Sequence, residues 1–352
     1  MNLRPFFVFA AILAALPPLS RGSAIFTVTD LGTLGGSTSY AWAVNASGQV
    51  VGEAMNSAGN YRAFAYWQGK MIDLGTLGGD FSSAAFGIND NGQIVGTAST
   101  ATNADHAFLF SFATGTMTDL GTLGGNNSSA AAINNHGIVV GEAELPSGSN
   151  RAFFYANGVM HDLGTLGGDF SAARAIDDNN VIVGNSETSS FNPMFYQSGF
   201  IFYNGSMFDL SLWGISGANA LIDANGVSDA GVVGDENGDP LGGFGPTGFI
   251  IGNNPTHIGT GDDISSERGI NQAGLAVGYE TDFSQGTFGL QYASLFAGGV
   301  NYDLNTLVDL SGSNFTQLTE ALAISNTDYI VGFGTTKSGA THAFLLTPIP
   351  TP

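Results

Sequence analysis

The stretch DLGTLGG at Asp73–Gly79 decides the fold, because the chain repeats it in step with two other short phrases. Intact copies also stand at Asp30–Gly36, Asp119–Gly125 and Asp162–Gly168, and degraded copies at Asp209–Gly214, His257–Gly261 and Asp303–Leu307. The second phrase has the form I-N-x-x-G-x-V-V-G and the third the form H/R-A-F. Each recurs seven times in intact or degraded form, and one copy of the third has Ser294 in place of Phe. Six steps from Phe64 to Phe344 give a period of about 47 residues, which suits the ~40–50 residues of a four-stranded propeller blade.

Each repeat predicts four antiparallel strands, and the second unit shows the pattern clearly. Strand a is the Ala- and Ser-rich run Ser82–Ile88. The turn Asn89–Gly92 leads to strand b at Gln93–Thr97, since Asn and Gly adopt the positive φ of tight hairpins. Strand c is the aromatic run His106–Phe110, and strand d at Thr116–Leu120 completes the unit. We expect the first phrase to cross to the next unit.

Small residues mark strand a as the innermost strand. The residue two before the one that opens the a–b turn is Ala or Gly in all seven units: Ala43, Gly87, Ala132, Ala175, Gly226, Gly269 and Ala323. Blades are wedges, so only narrow side chains fit where their inner strands converge. The pattern therefore predicts an all-β fold, a seven-bladed β-propeller of four-stranded antiparallel blades, and not a line of stacked units.

The two ends of the repeat region match each other. Ile25–Leu31 has the pattern of an unpaired strand d, whereas the last unit stops after its strand c at His342–Leu346. Pairing these strands would close the ring and remove two exposed edges. We therefore expect one domain, with residues 25–31 as the last strand of blade 7 and 348–352 as a tail. The predicted blades are 37–79, 80–125, 126–168, 169–214, 215–261, 262–307 and 316–347.

Composition excludes several classes of function. The formal net charge is −21 with only 8 Lys and Arg, so nucleic acid is not an expected partner. The chain has no Cys, which excludes disulfides, thiolate metal sites and a Cys nucleophile. Its histidines show no zinc-ligand spacing, and no G-x-S-x-G, P-loop or dinucleotide motif stands between a strand and a helix.

The N-terminal segment Met1–Ala24 predicts a cleaved signal peptide. It combines the basic Arg4, an apolar run at Phe6–Leu16 and small residues at Gly22–Ala24. The apolar run is shorter than the ~20 residues of a membrane helix. We therefore expect an extracellular, secreted protein without a transmembrane segment in the mature chain.

The repeated tripeptide carries a family resemblance. His-Ala-Phe stands at His106–Phe108 and His342–Phe344, and Arg-Ala-Phe at Arg62–Phe64 and Arg151–Phe153. With its companion phrases, from about residue 25 to 346, the chain resembles the bacterial extracellular HAF-repeat family, and its unit layout is more weakly similar to kelch propellers. The resemblance implies an extracellular propeller without an established activity. Many members end in a sorting helix, which this chain lacks, so we expect free secretion or a truncated sorting segment.

Residues that break the repeat are better candidates for function than residues that make it. The aspartates of the first phrase are expected to cap turns: Asp73, Asp119 and Asp162. Four charged residues interrupt the small-residue pattern of strand a and form a candidate ligand site at the channel or its mouth: Arg174, Glu267, Arg268 and Glu320. A carboxylate pair about 5–10 Å apart would suit glycoside cleavage. Internal salt bridging is the favoured alternative.

An acidic segment is a candidate calcium site. Oxygen ligands around a Gly turn suit a hard cation, and the residues concerned are Asp235, Glu236, Asn237, Asp239, Asp262 and Asp263. The spacing is not that of an EF-hand, and an exposed acidic loop without metal is the favoured alternative. We expect no other cofactor.

These observations favour a non-catalytic binding or surface-interaction scaffold that uses loops on one propeller face. The expected partner is an extracellular glycan or protein, and the chain is expected to be a monomer. One alternative is a propeller glycosidase or lyase acting on extracellular polysaccharide through acidic residues of blades 5–7. Another is a matrix protein that assembles with itself.

Overall fold

Seven four-stranded antiparallel sheets form the described part of the protein. The computed structural model describes residues 25–189, 197–213, 221–237, 246–251, 256–258, 264–283 and 289–350. Within these ranges the secondary structure comprises 28 strands and two short 3-10 helices, and no helix is long and apolar enough to cross a membrane. The predicted seven-bladed β-propeller is confirmed.

The strands follow chain order, with the innermost strand a first in each blade. Strand β1 is Phe26–Asp30; blade 1 contains β2 (Gly35–Val44), β3 (Val50–Asn56), β4 (Tyr61–Trp67) and β5 (Lys70–Asp73); blade 2 contains β6 (Gly78–Ile88), β7 (Gln93–Thr100), β8 (Asp105–Ser111) and β9 (Thr116–Asp119). Blade 3 contains β10 (Ser128–Ile133), β11 (Val139–Glu144), β12 (Asn150–Ala156) and β13 (Val159–Asp162); blade 4 contains β14 (Gly167–Ile176), β15 (Ile182–Thr188), β16 (Gln197–Tyr203) and β17 (Ser206–Asp209). Blade 5 contains β18 (Leu221–Ser228), β19 (Gly231–Asn237), β20 (Pro246–Ile251) and β21 (Thr256–Ile258); blade 6 contains β22 (Ile264–Ile270), β23 (Ala276–Asp282), β24 (Leu290–Ala297) and β25 (Val300–Asp303). Blade 7 contains β26 (Phe315–Ile324), β27 (Ile330–Thr336) and β28 (Thr341–Pro348), and the 3-10 helices are Leu210–Trp213 and Leu304–Thr306.

The first strand closes the ring. Strand β1 pairs antiparallel with β28 from Phe26↔Pro348 to Asp30↔Phe344, so the last blade has the order β1-β28-β27-β26. Asp30 Oδ1 lies 2.9 Å from His342 Nδ1, and Asp30 Oδ2 accepts a hydrogen bond from Asn314 Nδ2 at 2.7 Å. Burial works to raise the pKa of Asp30, but these hydrogen bonds outweigh it and hold that pKa below its usual value. The predicted closure is confirmed.

The three repeated phrases meet in one transverse row of each sheet. In blade 2, Ala85 of strand a pairs with Gly96, Gly96 with Phe108, and Phe108 with Asp119, so their side chains share one face. In blade 1, a Cβ on Gly52 would lie 2.8 Å from Cε1 of Phe64, so the bare Gly leaves room for the Phe ring, which is the largest buried side chain of the row. Six blades keep it at 0% exposure: Phe64, Phe108, Phe153, Phe200, Phe249 and Phe344.

The first phrase forms a turn that joins neighbouring blades. Asp73 Oδ1 accepts a hydrogen bond from the N–H of Gly75 at 2.8 Å, which confirms the predicted capping role, and Gly75 has a φ of 80°. The Ser83 hydroxyl donates to the Gly75 carbonyl at 2.5 Å and accepts from the Ala63 N–H at 2.9 Å. Strand a begins at the Gly-Gly pair of the phrase, earlier than predicted, because this pair already runs alongside strand b.

A belt of turns narrows one end of the channel. Asn45 Nδ2 donates to the Asn89 carbonyl of the next blade at 3.1 Å, and Asn89 Nδ2 donates to the Asn134 carbonyl at 3.0 Å. Ser228 Oγ and Asn271 Nδ2 continue the pattern in later blades. Because each turn donates to the next blade, the belt fixes the angular spacing of the blades, and it leaves a cavity of only about 220 Å³.

Candidate functional site

The central channel opens into a cavity of about 1120 Å³ on the side away from the turn belt. Strand a of each blade carries a β-bulge immediately before its small residue, as at Ala85/Gly87. The bulged residue has no partner across the ladder and is turned toward the axis. Seven such residues, one per blade, line the cavity: Trp42, Phe86, Ala131, Arg174, Asn225, Arg268 and Leu322.

The small residues explain why this ring can form. A Cβ on Gly87 would lie 3.1 Å from Cα of Ala132, and one on Gly269 would lie 3.2 Å from Cα of Ala323. Neighbouring strands a therefore touch through their backbones at this level. The prediction that narrow residues permit convergence is supported, but they face the next blade, and the preceding residue faces the channel.

One side of the cavity is an aromatic wall, which we define as Tyr40, Trp42, Tyr61, Phe86 and Phe333. The ring centroids of Trp42 and Phe86 lie 5.9 Å apart and those of Tyr40 and Phe333 5.1 Å apart, both edge to face. The ring centroid of Tyr40 lies 6.3 Å from that of Trp42 and 6.4 Å from that of Tyr61. Aromatic pairs at these separations stabilise one another, so blades 7, 1 and 2 present a mainly aromatic surface to the cavity.

The opposite side is a polar wall, which we define as Arg174, Asn225, Arg268 and Glu320. Arg268 Nε lies 2.9 Å from Glu320 Oε1, and its Nη1 lies 3.7 Å from Asp235 Oδ2. The guanidinium also lies 5.7 Å from the centroid of Tyr279. The predicted internal salt bridging is thus present at Arg268 and Glu320.

Electrostatics couple Arg268 and Glu320 within the polar wall. Burial works to lower the pKa of Arg268, but the charges of Glu320 and Asp235 outweigh it and raise that pKa. Burial raises the pKa of Glu320, and the charge of Arg268 offsets part of this effect. Because the Arg268–Glu320 contact is short and direct, we treat the two side chains as an ion pair.

The structure separates the four predicted ligand-site residues. Arg174, Arg268 and Glu320 line the cavity together, whereas Glu267 does not. Glu267 is 0% exposed and lies between blades 5 and 6, because it occupies the paired position before the bulge and not the bulge itself. The expectation that Glu267 lines the channel is wrong. Glu267 and Glu320 therefore cannot act as a carboxylate pair on one ligand in the cavity.

The predicted acidic segment is only partly described. Asp235 lies in strand β19, buried at 8% exposure, and its Oδ1 accepts from Ser266 Oγ at 2.5 Å, so the expected exposed loop is wrong at this residue. Glu236 and Asn237 end the same strand, while Asp239, Asp262 and Asp263 lie outside the described residues. Among the described residues, no three His, Asp or Glu side chains are grouped closely enough to bind one metal.

Sequence reasoning missed the aromatic wall. The available signal was the position before the small residue, which varies between Trp, Phe, Ala, Arg, Asn and Leu while the residue after it is always Ala or Gly. A position that varies inside an otherwise regular repeat is a site where each blade can contribute a different group to a ligand. The two histidines that share a repeat position, His106 and His342, contact Asp119 and Asp30 and serve the fold.

Comparisons with known proteins support the fold and leave the function open. Residues 67–160 match a family model described as a protein of unknown function, DUF3466, and no curated protein matches the chain. The β-propeller domain of the Trilobed protease from Pyrococcus furiosus is similar, with a TM-score of 0.56, 10% identity, and coverage of 86% of this chain and 92% of that one. That domain is described as having an open velcro topology, whereas strand β1 closes the ring here.

Two larger enzymes contain a similar propeller. A puromycin-hydrolyzing peptidase of Mycobacterium tuberculosis gives a TM-score of 0.55 at 12% identity, covering 94% of this chain and 56% of that one. The Pyrococcus horikoshii acylaminoacyl peptidase gives 0.51 at 10% identity, covering 86% and 50%. This chain therefore spans about half the length of these peptidases, and identities this low show a shared fold alone.

Proposed function

We propose that this protein is a non-catalytic binding protein whose ligand lies in the wide half of the central channel. The observation that carries the proposal is the division of the axis-facing ring into an aromatic wall and a polar wall across one cavity. A ring kept only for folding would repeat one residue type, as the neighbouring Ala/Gly position does. A concave, largely apolar site with a few convergent polar groups is the usual form of a ligand pocket.

A saccharide fits these two walls best. A sugar ring has an apolar C–H face that packs on Trp42 or Phe86 and hydroxyl edges that hydrogen-bond to Arg174, Asn225 and Arg268. Glu53 and Glu142 also line the cavity, and their carboxylate oxygens can accept hydrogen bonds from sugar hydroxyls. The volume of about 1120 Å³ exceeds that of a monosaccharide, so we propose an oligosaccharide or the end of a glycan chain.

The test compares two tryptophans. Glycan-array binding followed by titration of intrinsic fluorescence should identify a ligand and report on Trp42, which lies in the cavity wall. Trp42→Ala should weaken binding by more than about tenfold, since aromatic anchors in buried sites often contribute about 2 kcal/mol or more. Trp67→Ala is the matched control because Trp67 lies outside the cavity at 36% exposure. Equal affinity in the two variants would place the ligand elsewhere.

The alternatives remain testable in the same experiment. A polysaccharide-cleaving enzyme would act through acidic residues of blades 5–7, of which Glu267 is buried away from the cavity, and turnover of bound glycans would reveal such an enzyme. Self-assembly into a matrix would appear as concentration-dependent sedimentation. We also propose secretion, since the predicted signal peptide is the feature that supports an extracellular ligand.

A further inference from the structure

Blade 6 departs from the transverse row that every other blade keeps. Where blade 2 has Ala85, Gly96 and Phe108, blade 6 has Glu267, Gly278 and Ser294 in the same register. A long acidic side chain thus replaces Ala, and a short hydroxyl replaces the buried Phe ring. The two changes nearly conserve volume, so a carboxylate occupies space that is apolar in the other blades.

The neighbouring blade makes room for this carboxylate. The facing residue in blade 5 is Gly248, where blades 1 to 3 have the Ala of the H/R-A-F phrase. A Cβ on Gly248 would lie 3.0 Å from Cγ and 3.4 Å from Oε1 of Glu267. The Glu267 side chain is therefore sandwiched between the two sheets, on the opposite side of strand β22 from Arg268 and the ligand cavity.

Four buried oxygen atoms lack partners at this place. Both carboxylate oxygens of Glu267, Oγ of Ser294 and Oδ1 of Asn301 have no hydrogen bond within the described part of the chain. Glu267 and Ser294 are 0% exposed. Native proteins satisfy nearly all buried polar groups, so a cluster of unsatisfied oxygens indicates a bound species that supplies the missing contacts.

A second carboxylate reaches the same space. Glu280 lies two residues after Gly278 on the same face of the sheet, and its oxygens accept from Tyr292 Oη and Asn301 Nδ2, each at 2.5 Å. A fully buried carboxylate beside a second, partly buried one is stabilised by a positive counter-charge.

We propose that Glu267, Glu280, Ser294 and Asn301 bind a calcium-class cation between blades 5 and 6. Calcium takes 6–8 oxygen ligands in flexible geometry and accepts carboxylates, amide carbonyls and water, which matches the groups present. Zinc prefers nitrogen and sulfur ligands. Magnesium keeps several waters in a strict octahedron, which suits a sandwiched site poorly. A divalent cation would balance both carboxylates.

The site would stiffen the wall of the ligand cavity. Glu267 and Arg268 are adjacent on strand β22 and point to opposite sides of it. A cation that fixes Glu267 also fixes the backbone that presents Arg268 to the cavity. The inference does not depend on the proposed saccharide ligand, because it concerns the interface between two blades.

The test uses the full chain after treatment with a chelator. Calorimetric titration with calcium chloride should show saturable binding, and calcium well above its dissociation constant should raise the melting temperature by about 4 °C or more. The double variant Glu267→Ala/Ser294→Phe restores the row of the other blades, so it should fold and lose both responses. Asp80→Asn removes an exposed carboxylate and should keep both.

Two outcomes would overturn the proposal. Absence of calcium binding in the unmodified chain would show that water or a proton satisfies the buried oxygens. An equal calcium response in the double variant would place the ion on the acidic surface. Sensitised terbium luminescence gives an independent readout, since Tyr292 is close enough to Glu280 to transfer energy to a bound lanthanide.

Discussion

Adding one methyl group at Gly96 should destabilise the propeller strongly. This Gly ends the second phrase in blade 2, and a Cβ there would lie 2.0 Å from the Ala84 carbonyl oxygen and 2.8 Å from Cα of Ala85. Both contacts are with backbone, so no side chain can move aside. The close approach follows from the bulge in strand a, which brings the Ala84 carbonyl over the Gly.

The size of the effect follows from these distances. Strand a must move by roughly 1 Å to restore van der Waals contact, and overpacking of this kind costs about 1–3 kcal/mol or more. Breaking one or two hydrogen bonds of the bulge adds about 1 kcal/mol each. We therefore expect Gly96→Ala to lose about 4 kcal/mol, or about 8 °C in melting temperature at ~2 °C per kcal/mol.

The assay is thermal unfolding followed by far-ultraviolet circular dichroism. Gly312→Ala is the matched control, because Gly312 is exposed, has an ordinary φ and has no atom within 4 Å of a new Cβ. The control should melt within about 2 °C of the unmodified chain. If Gly96→Ala also melted there, the carbonyl would not lie over the Gly, and the bulge that aims Phe86 at the axis would be absent.

Three further predictions follow from the fold. Asp30→Asn should lower the melting temperature at neutral pH. The difference between the variant and the unmodified chain should shrink as the pH falls through and below 3.8, because a carboxylate whose pKa is lowered by folding adds stability only while it is ionised. A difference that stays constant with pH would argue against the Asp30 contacts. Ser294→Phe alone should destabilise by about 1–3 kcal/mol through overpacking against Glu267, and adding Glu267→Ala should recover it; additive effects in the denaturation cycle would contradict the shared space. Asn89→Ala should cost about 2–4 kcal/mol by removing four hydrogen bonds of the turn belt, while the exposed Asn126→Ala should be neutral in urea unfolding.

The fold was predictable because local and long-range signals agree. The turn at Asn89 combines an Asn side chain that caps the turn with a Gly at φ 72°, and both features are visible in the sequence. The row of Ala85, Gly96 and Phe108 recurs with the same spacing in most units. Seven copies of one pattern leave little freedom in how the strands pair.

The candidate site was harder to predict because it depends on a bulge. Arg268 and Glu267 are neighbours in sequence, and simple alternation along a strand places them on opposite faces without saying which face meets the channel. The bulge at this point shifts the register by one residue and sends Arg268 to the axis. Asp235 was assigned to a loop because acidic residues and Gly follow it, yet pairing with blade 5 neighbours keeps it in a strand.

The aromatic wall was hidden for a different reason. Tyr40 and Phe333 touch only because ring closure makes blade 1 and blade 7 neighbours, although they are far apart in sequence. Contacts of this kind depend on which blades are neighbours in the ring. The number of repeats predicts that order only once a closed propeller has been assumed.

The pairing of β1 with β28 constrains the order of events during synthesis. Asp30 and His342 are 312 residues apart along the chain, so the contact between them forms only after the chain as far as His342 has left the ribosome. Closing a loop of this length costs more conformational entropy than forming a local hairpin. Ring closure is therefore slow compared with formation of the individual blades. Until then the nascent ring has two unpaired strand edges. A chaperone or a brief delay in release would favour correct closure over pairing with a second nascent chain.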